Sequence, residues 1–471
     1  MRRRLLICLL ALLPLTASAR MSESLRVDKH PTASHDLAEI RSAGVLRVLI
    51  NQSGNTSAEV KGQAIGSELQ RLRAFEQFLN RDSRRKLSLK LIPKAKEQLL
   101  PALLRGEGDL VVPGELLEPA PEQRVSASRA LERNVPIVLV SAKGARRYLR
   151  VQQLAGHRLT LAQGSAAAQA IARVNQQLAE RQLAPLSIDW ADASLAAEDV
   201  LEMVQAGIYP LTAVELPLAE RWAKVLPKLR IERHLQLDNR SDTHWYLSRQ
   251  APMLAATLEQ FLPSYNRPAD QDVAFMRVNR RTYRVHNPLA RSDRQKLEKL
   301  RPTLQRYAGQ HNFDWLSLAA LAYKESSLNP HARTRSGSGP SGLMQITPAA
   351  ARSVGVSNSQ TLEGNVQAAT KYMAMIRKRF FASPAIPESE RLAFVFAAYN
   401  MGPERVQGMR TEAKRRGLNP NQWFFQVERV ALEQVGMGVV AYVRSVNKYQ
   451  LAFTRARQTL EPNTVLVKPR K

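Results

Sequence analysis

The sequence predicts a multidomain protein in which an α/β layered N-terminal half is followed by an all-α C-terminal domain. Between residues 37 and 265, short apolar strand candidates alternate with amphipathic helical stretches, the pattern of strands layered with helices. Residues 266–292 are polar, rich in Arg and Asn and without clear period, which reads as an interdomain linker. From Ser292 the apolar spacing becomes helical and stays so to about Arg457, with turn clusters between the helices. A chain of 471 residues has length for two or three cores, and its 44% hydrophobic content is ordinary for globular protein.

The elements follow in order. Met1 to Arg4 is a basic n-region, Leu5 to Leu15 a short apolar core and Ala17-Ser18-Ala19 a small-residue cleavage site, so residues 1–20 read as a secretory signal peptide. The only cysteine, Cys8, lies inside that apolar core, which leaves the processed chain without disulfides, thiolate nucleophiles or thiolate metal sites. Residues 21–36 are a polar spacer, and nothing after residue 20 is apolar for long enough to span a bilayer. Gly44 to Ile50 is a strand opened by a turn glycine. Gly66 to Leu79 is a helix with Leu69, Leu72, Phe75, Phe78 and Leu79 on one side. Leu87 to Ile92 alternates as a strand, Gln98 to Leu104 is a short helix, and Gly108 to Val112 is another strand. The tail, 458–471, carries two prolines and reads as mobile.

The net charge of +28 comes from 69 Lys+Arg against 41 Asp+Glu. For an exported chain it favours an anionic wall polymer or membrane face over nucleic acid, and its bland alternative is a merely solvated basic surface. No His-x-x-x-His pair, calcium loop or phosphate-binding glycine loop occurs, so no metal or cofactor is expected.

Two resemblances sharpen this picture. Leu37-Ala-Glu-Ile-Arg-Ser-Ala-Gly44-Val-Leu-Arg47-Val, with Leu100 to Asp109 downstream, resembles the opening of the extracellular solute-binding proteins of family 3. Leu154 to Ser165 and Thr243-His-Trp245 fit the same pattern. The resemblance implies a two-lobed α/β, periplasmic-binding-protein-like domain over 37–265, its second lobe at about 142–239, with a ligand between the lobes. It places Arg124 and Glu215 where relatives grip the carboxylate and the amine of an amino acid, Glu215 being one methylene longer than the usual Asp. A muropeptide or amino acid is then the expected ligand, and the alternative for both residues is solvated surface charge.

The second resemblance rests on Glu325. An Ala/Leu-rich helix beginning near Asp314 leads into Glu325-Ser326 and is stopped by Asn329-Pro330. An apolar setting and the negative end of a helix both raise a carboxyl pKa, as a general acid requires. Glu325-Ser326, Gly342-Leu-Met344-Gln345, Glu363-Gly-Asn365 before a helix with Tyr372-Met373, and Ala398-Tyr399-Asn400 resemble, in order and spacing, the family 1 lytic transglycosylases. That resemblance covers about 293–457 and implies an all-α, lysozyme-like catalytic domain. Glu325 is then the acid and base that cleaves the bond between N-acetylmuramic acid and N-acetylglucosamine, giving a 1,6-anhydromuramyl end without water. It makes Ser326, Met344, Gln345, Tyr399, Asn400 and Tyr442 sugar-binding residues. Helix capping is the alternative for Ser326 and Asn400, and core packing for Tyr399 and Met344.

Relatives often carry Glu-Thr ahead of the Tyr-Val pair, whereas here Gly436 to Ala441 precedes Tyr442-Val443. No Asp or Glu lies between Ser326 and Gln345, and most glycosidases need a second carboxylate. Glu363 and Glu404 are later candidates, so a water-adding muramidase and a non-catalytic wall-binding sensor stay open as alternatives. Outer-membrane attachment, if any, would be peripheral from the periplasm.

Overall fold

The computed structural model describes residues 35–60, 62–81, 83–333 and 339–462. The expected signal peptide, most of the spacer and residues 463–471 lie outside the described residues. The N-terminal half forms two α/β lobes. In the first, a five-stranded sheet runs in the order Ser88–Lys94, Val45–Asn51, Leu110–Val112, Tyr246–Ser248, Val125–Ala127. Its first three strands are parallel, and Tyr246–Ser248 is antiparallel to both neighbours. The helix Leu69–Leu79 buries Leu69, Leu72, Phe75 and Leu79, a stripe at helical spacing, and Phe75 meets the rings of Trp245 and Phe261. Each such side chain is worth about 1.5–3 kcal/mol of burial.

The second lobe holds an antiparallel sheet, Leu211–Glu215, Ile137–Ala142, Leu229–Asp238, and a parallel pair, Arg158–Leu161 with Ser187–Trp190. The chain crosses between lobes twice, and the crossings pair as backbone: Leu131 donates to Thr243, Thr243 to Glu132, and Val135 to Ser241. The central strand of the second lobe thus begins at Ile137, five residues before the expected boundary.

Three expected boundaries differ in the structure. Residues 266–292 contain a helix, Gln271–Thr282, that buries Gln271, Ala274, Phe275 and Asn279. Two of those four are polar, Gln271 donating to Ser67 O of the first lobe at 3.0 Å and Asn279 back to Phe275 O of its own helix at 2.9 Å, so hydropathy conceals the stripe. The tail begins later than 458, since Leu460 is buried and Glu461 accepts from the Trp315 indole. At the other end, Asp36 caps the helix Leu37–Ala43 and accepts from Met253 and Leu254 N–H, so the spacer's last residue belongs to the fold.

The C-terminal half is all helical. Its centre is the helix Trp315–Ser326, nine of whose twelve residues, Trp315 to Tyr323, are buried. A helix apolar on every side must be wrapped, and Arg291–Gln310, Glu388–Met401 and Met437–Arg455 help enclose its core. This half docks on both lobes: Arg429 donates to Ser57 Oγ at 2.9 Å in the first, and Asn447 to Ser194 Oγ at 2.8 Å in the second.

Candidate active site

Glu325 stands in the last turn of the central helix. Asp314 caps the start by accepting from Leu316 N–H at 3.1 Å, and Ser327 ends the helix in the left-handed conformation. The acid is therefore fixed by a core helix, with its side chain partly exposed at the end. Burial pushes its carboxyl up, against a hydrogen bond from Tyr442 and the charge of Lys324 that hold it down. Tyr442, on Met437–Arg455, donates to Glu325 Oε1. Among the described residues, the charged or hydrogen-bonding groups that act on Glu325 are Tyr442 and Lys324. Glu363 is engaged with Arg306 and Thr303, and Glu404 is exposed.

The loop after Glu325 returns to it through Ser326. The Ser326 hydroxyl reaches Leu343 O at 2.8 Å and Ala322 O at 3.1 Å and accepts from Asn329 N–H. Its hydroxyl proton is committed to backbone, the capping alternative. Met344 is fully buried, so its side chain packs in the core, while its carbonyl accepts from Tyr399 Oη at 2.8 Å. Gln345, at φ +46°, turns its amide onto Gly342 O and Ala332 O. Asn400 is exposed and its side-chain amide has no partner among the described residues, which leaves it open to a ligand. Tyr399 is half-buried against Tyr372, its hydroxyl pushed well up by burial and then by Glu325.

One residue of this site had been seen in the sequence without a role. Asn365, in the first turn of Leu362–Phe380 and not ahead of it, accepts from Met344 N–H at 2.8 Å and donates to Ser341 O and Ser359 O. It is the peg on which the Gly342–Gln345 turn hangs. Gly342 has φ +77°, and a Cβ there would lie 2.4 Å from Asn365 Nδ2, so the turn takes no larger residue.

Residues 302–422 match the model of the Transglycosylase SLT domain. The C-terminal helical region carries an SLT domain. Among proteins of known sequence, the chain is similar to a membrane-bound lytic murein transglycosylase F of Shewanella halifaxensis, 29% identical over 365 residues, covering 76% of this chain and 72% of the relative. A protein of the same name from Shewanella sp. strain W3-18-1 is 26% identical and covers 95% of this chain and 91% of its own length. Among solved structures, an ancestral amino-acid-binding protein, AncCDT-1, covers 51% of this chain and 97% of its own at 16% identity, with a TM-score of 0.39. The matched segment holds Glu325, the Gly342–Gln345 turn, Asn365 and Asn400; Tyr442 joins the SLT domain's acid from beyond the matched segment.

The expected pair in the two-lobed half does not form. Arg124 is exposed beside the edge strand Val125–Ala127, and it does not line the cavities that Glu215 lines. Glu215 is buried between the lobes, where it accepts from Leu116 N–H and lies 3.7 Å from Lys96 Nζ. Lys96 also meets Glu115 at 3.4 Å. Burial pushes Glu115 up to about 7 in spite of Lys96, while burial of Lys96 is outweighed by Glu215 and Glu115, which hold its ammonium above the usual range. This triad borders a cavity of about 470 Å³ between the lobes, closed on one side by Arg416 to Asn419 of the helical half.

Proposed function

We propose that this chain, a peptidoglycan lytic transglycosylase, works through Glu325 alone. In its acid form Glu325 protonates the glycosidic oxygen between N-acetylmuramic acid and N-acetylglucosamine as the bond to the anomeric carbon breaks. The resulting carboxylate takes the proton of the muramyl 6-hydroxyl, whose oxygen closes on the same carbon. The proton returns to Glu325, no water is consumed, and the product is a 1,6-anhydromuramyl end. The observation that supports this reading is the company Glu325 keeps: among the described residues it is met by Tyr442 and Lys324, and Glu363 is held by Arg306 and Thr303, whereas most glycosidases use a second carboxylate on water or sugar. Asn400 is the group offered to the sugar, while Ser326, Gln345, Asn365 and Tyr399 hold the loop.

The two-lobed half takes a small wall-derived amino acid or peptide in the cavity bordered by Lys96, Glu115 and Glu215, and isothermal calorimetry with muropeptides and free amino acids tests that part. The N-terminal pattern supports export to the periplasm. Among the described residues no helix is long and apolar enough to cross a membrane, so contact with the outer membrane would be peripheral. Mass spectrometry of soluble products from sacculi decides the chemistry. Products lighter by one water, absent with Glu325→Gln, support the proposal; reducing ends make the enzyme a muramidase; products surviving Glu325→Gln refute the role of Glu325.

A further inference from the structure

We infer that the second lobe supplies positioning residues for the transglycosylase reaction: Asp199 and Glu202, through Lys448 and Arg444, hold the helix that presents Tyr442 to Glu325. The inference rests on the reading of Glu325 given above. The helix Met437–Arg455 begins without help. It follows Gly436 at φ +87°, carries Gly438 in its first turn, and has no side-chain cap at its N-terminus. Tyr442 stands in the second turn of that weakly anchored end, and a frayed turn there would carry its hydroxyl off the acid.

What fixes the helix is its opposite face. Arg444 and Lys448, one turn apart and therefore on one side, point away from Glu325 into the second lobe. Lys448 Nζ lies 2.5 Å from both Asp199 and Glu202, and Arg444 lies 2.7 Å from Glu428 and 3.5 Å from Asp199. Asp199, Glu202, Glu428 and Lys448 are all buried, at 4% exposure or less. The acids are themselves anchored, Asp199 accepting from Ala196 N–H at 3.0 Å and Glu202 from Val285 N–H at 2.8 Å. Ions this deeply buried tolerate little displacement, because a lost partner leaves an uncompensated charge away from water. Ala196 and Val285 also belong to the apolar core of the helical half. The helix is thus clamped between the acid it serves and two carboxylates of another domain.

The groups that face Glu325 are Tyr442 from this helix, Lys324 from its own helix and Tyr399 from Glu388–Met401. Lys324 also feels Glu202. Of these, Tyr442 is the one the clamp moves, and its donated hydrogen bond favours the carboxylate form.

The experiment is the pH–rate profile of anhydromuramyl product formation by the full chain carrying Lys448→Met, beside Tyr442→Phe and the double variant. The expected result is a turnover lowered at least about tenfold with KM unchanged, and an alkaline limb moved to higher pH in both single variants. The double variant should move it no further, and Lys448→Arg should restore the limb. A limb that stays at the wild-type pH in folded Lys448→Met, or shifts that add in the double variant, overturns the inference. Should Lys448→Met fail to fold, the charge-depleted Lys448→Met/Asp199→Asn/Glu202→Gln chain is measured for the same limb against the same two outcomes. Product formation surviving Glu325→Gln would instead remove the reading of Glu325 itself, which separates the two failures.

Discussion

Replacing Gly342 by Ala tests whether the loop geometry, as well as the acid, makes this site. Gly342 has φ +77°, a region that costs an L-residue about 1–2 kcal/mol. The new Cβ would also lie 2.4 Å from Asn365 Nδ2 and 2.6 Å from Asn365 Cγ. Asn365 is a short side chain at 1% exposure and cannot swing aside into solvent. Yielding means breaking its bonds to Met344 N, Ser341 O and Ser359 O, at about 1 kcal/mol each for those lost. Strain and two or three lost bonds together give about 3–5 kcal/mol, roughly 6–20 °C in the melting temperature of a unit of this size. Calorimetric unfolding and product yield from sacculi, measured together, are the assay. The Met344 carbonyl that Tyr399 grips moves with the turn, so activity falls below what the folded fraction accounts for. A Gly342→Ala protein within about 1 kcal/mol of the parent would refute the peg-and-turn argument. Pairing the change with Asn365→Ala should recover part of the loss, because the clash then disappears and only backbone strain stays.

Tyr442→Phe should raise the Glu325 carboxyl further above its ordinary range, because the tyrosine donor is one of the two influences that favour the carboxylate. The alkaline limb of the activity profile then moves to higher pH while turnover drops, and a limb moving to lower pH would contradict the assignment. Lys96→Met should destabilise the two-lobed half by about 3–5 kcal/mol near pH 8, since Glu115 and Glu215 lose their buried partner. Glu115 is raised to about 7 in the fold, so its carboxylate form costs stability as pH climbs from about 4.5 through 7. The damage is accordingly smaller near pH 5, where Glu115 is protonated, and chemical denaturation at both pH values measures it.

What could be read from the sequence was local. The apolar strand that follows Gly44, the stripe of Leu69–Leu79 and the capped helix into Glu325 each depend on neighbours in the chain, and each stands where the residues place it. What escaped depends on distant partners. The helix Gln271–Thr282 was hidden because its buried stripe satisfies polar groups through the fold, Gln271 finding Ser67 of the first lobe. Arg124 and Glu215 were matched by short motifs, but Arg124 stands beside a sheet edge facing water while Lys96 and the Leu116 amide hold Glu215 inside. Ile137–Ala142 precedes the expected boundary at about 142 yet joins the second lobe's sheet, because an apolar run does not say which sheet it will join. Asn365 lay in a noticed motif, yet its three bonds span residues 341 to 359 and none is visible in spacing alone.

The electrostatics of Glu325 bear on why one residue can serve twice. A group that is only buried makes a persistent acid but a carboxylate too costly to form, and a group that is only paired with cations makes a stable carboxylate that never donates. Here burial, the larger influence, favours the acid, while Tyr442 and Lys324 favour the carboxylate. A second carboxylate nearby would unbalance this by penalising the charged form. On the proposed mechanism, the lack of such a neighbour among the described residues would let the acid that opens the glycosidic bond also accept the 6-hydroxyl proton that closes the ring.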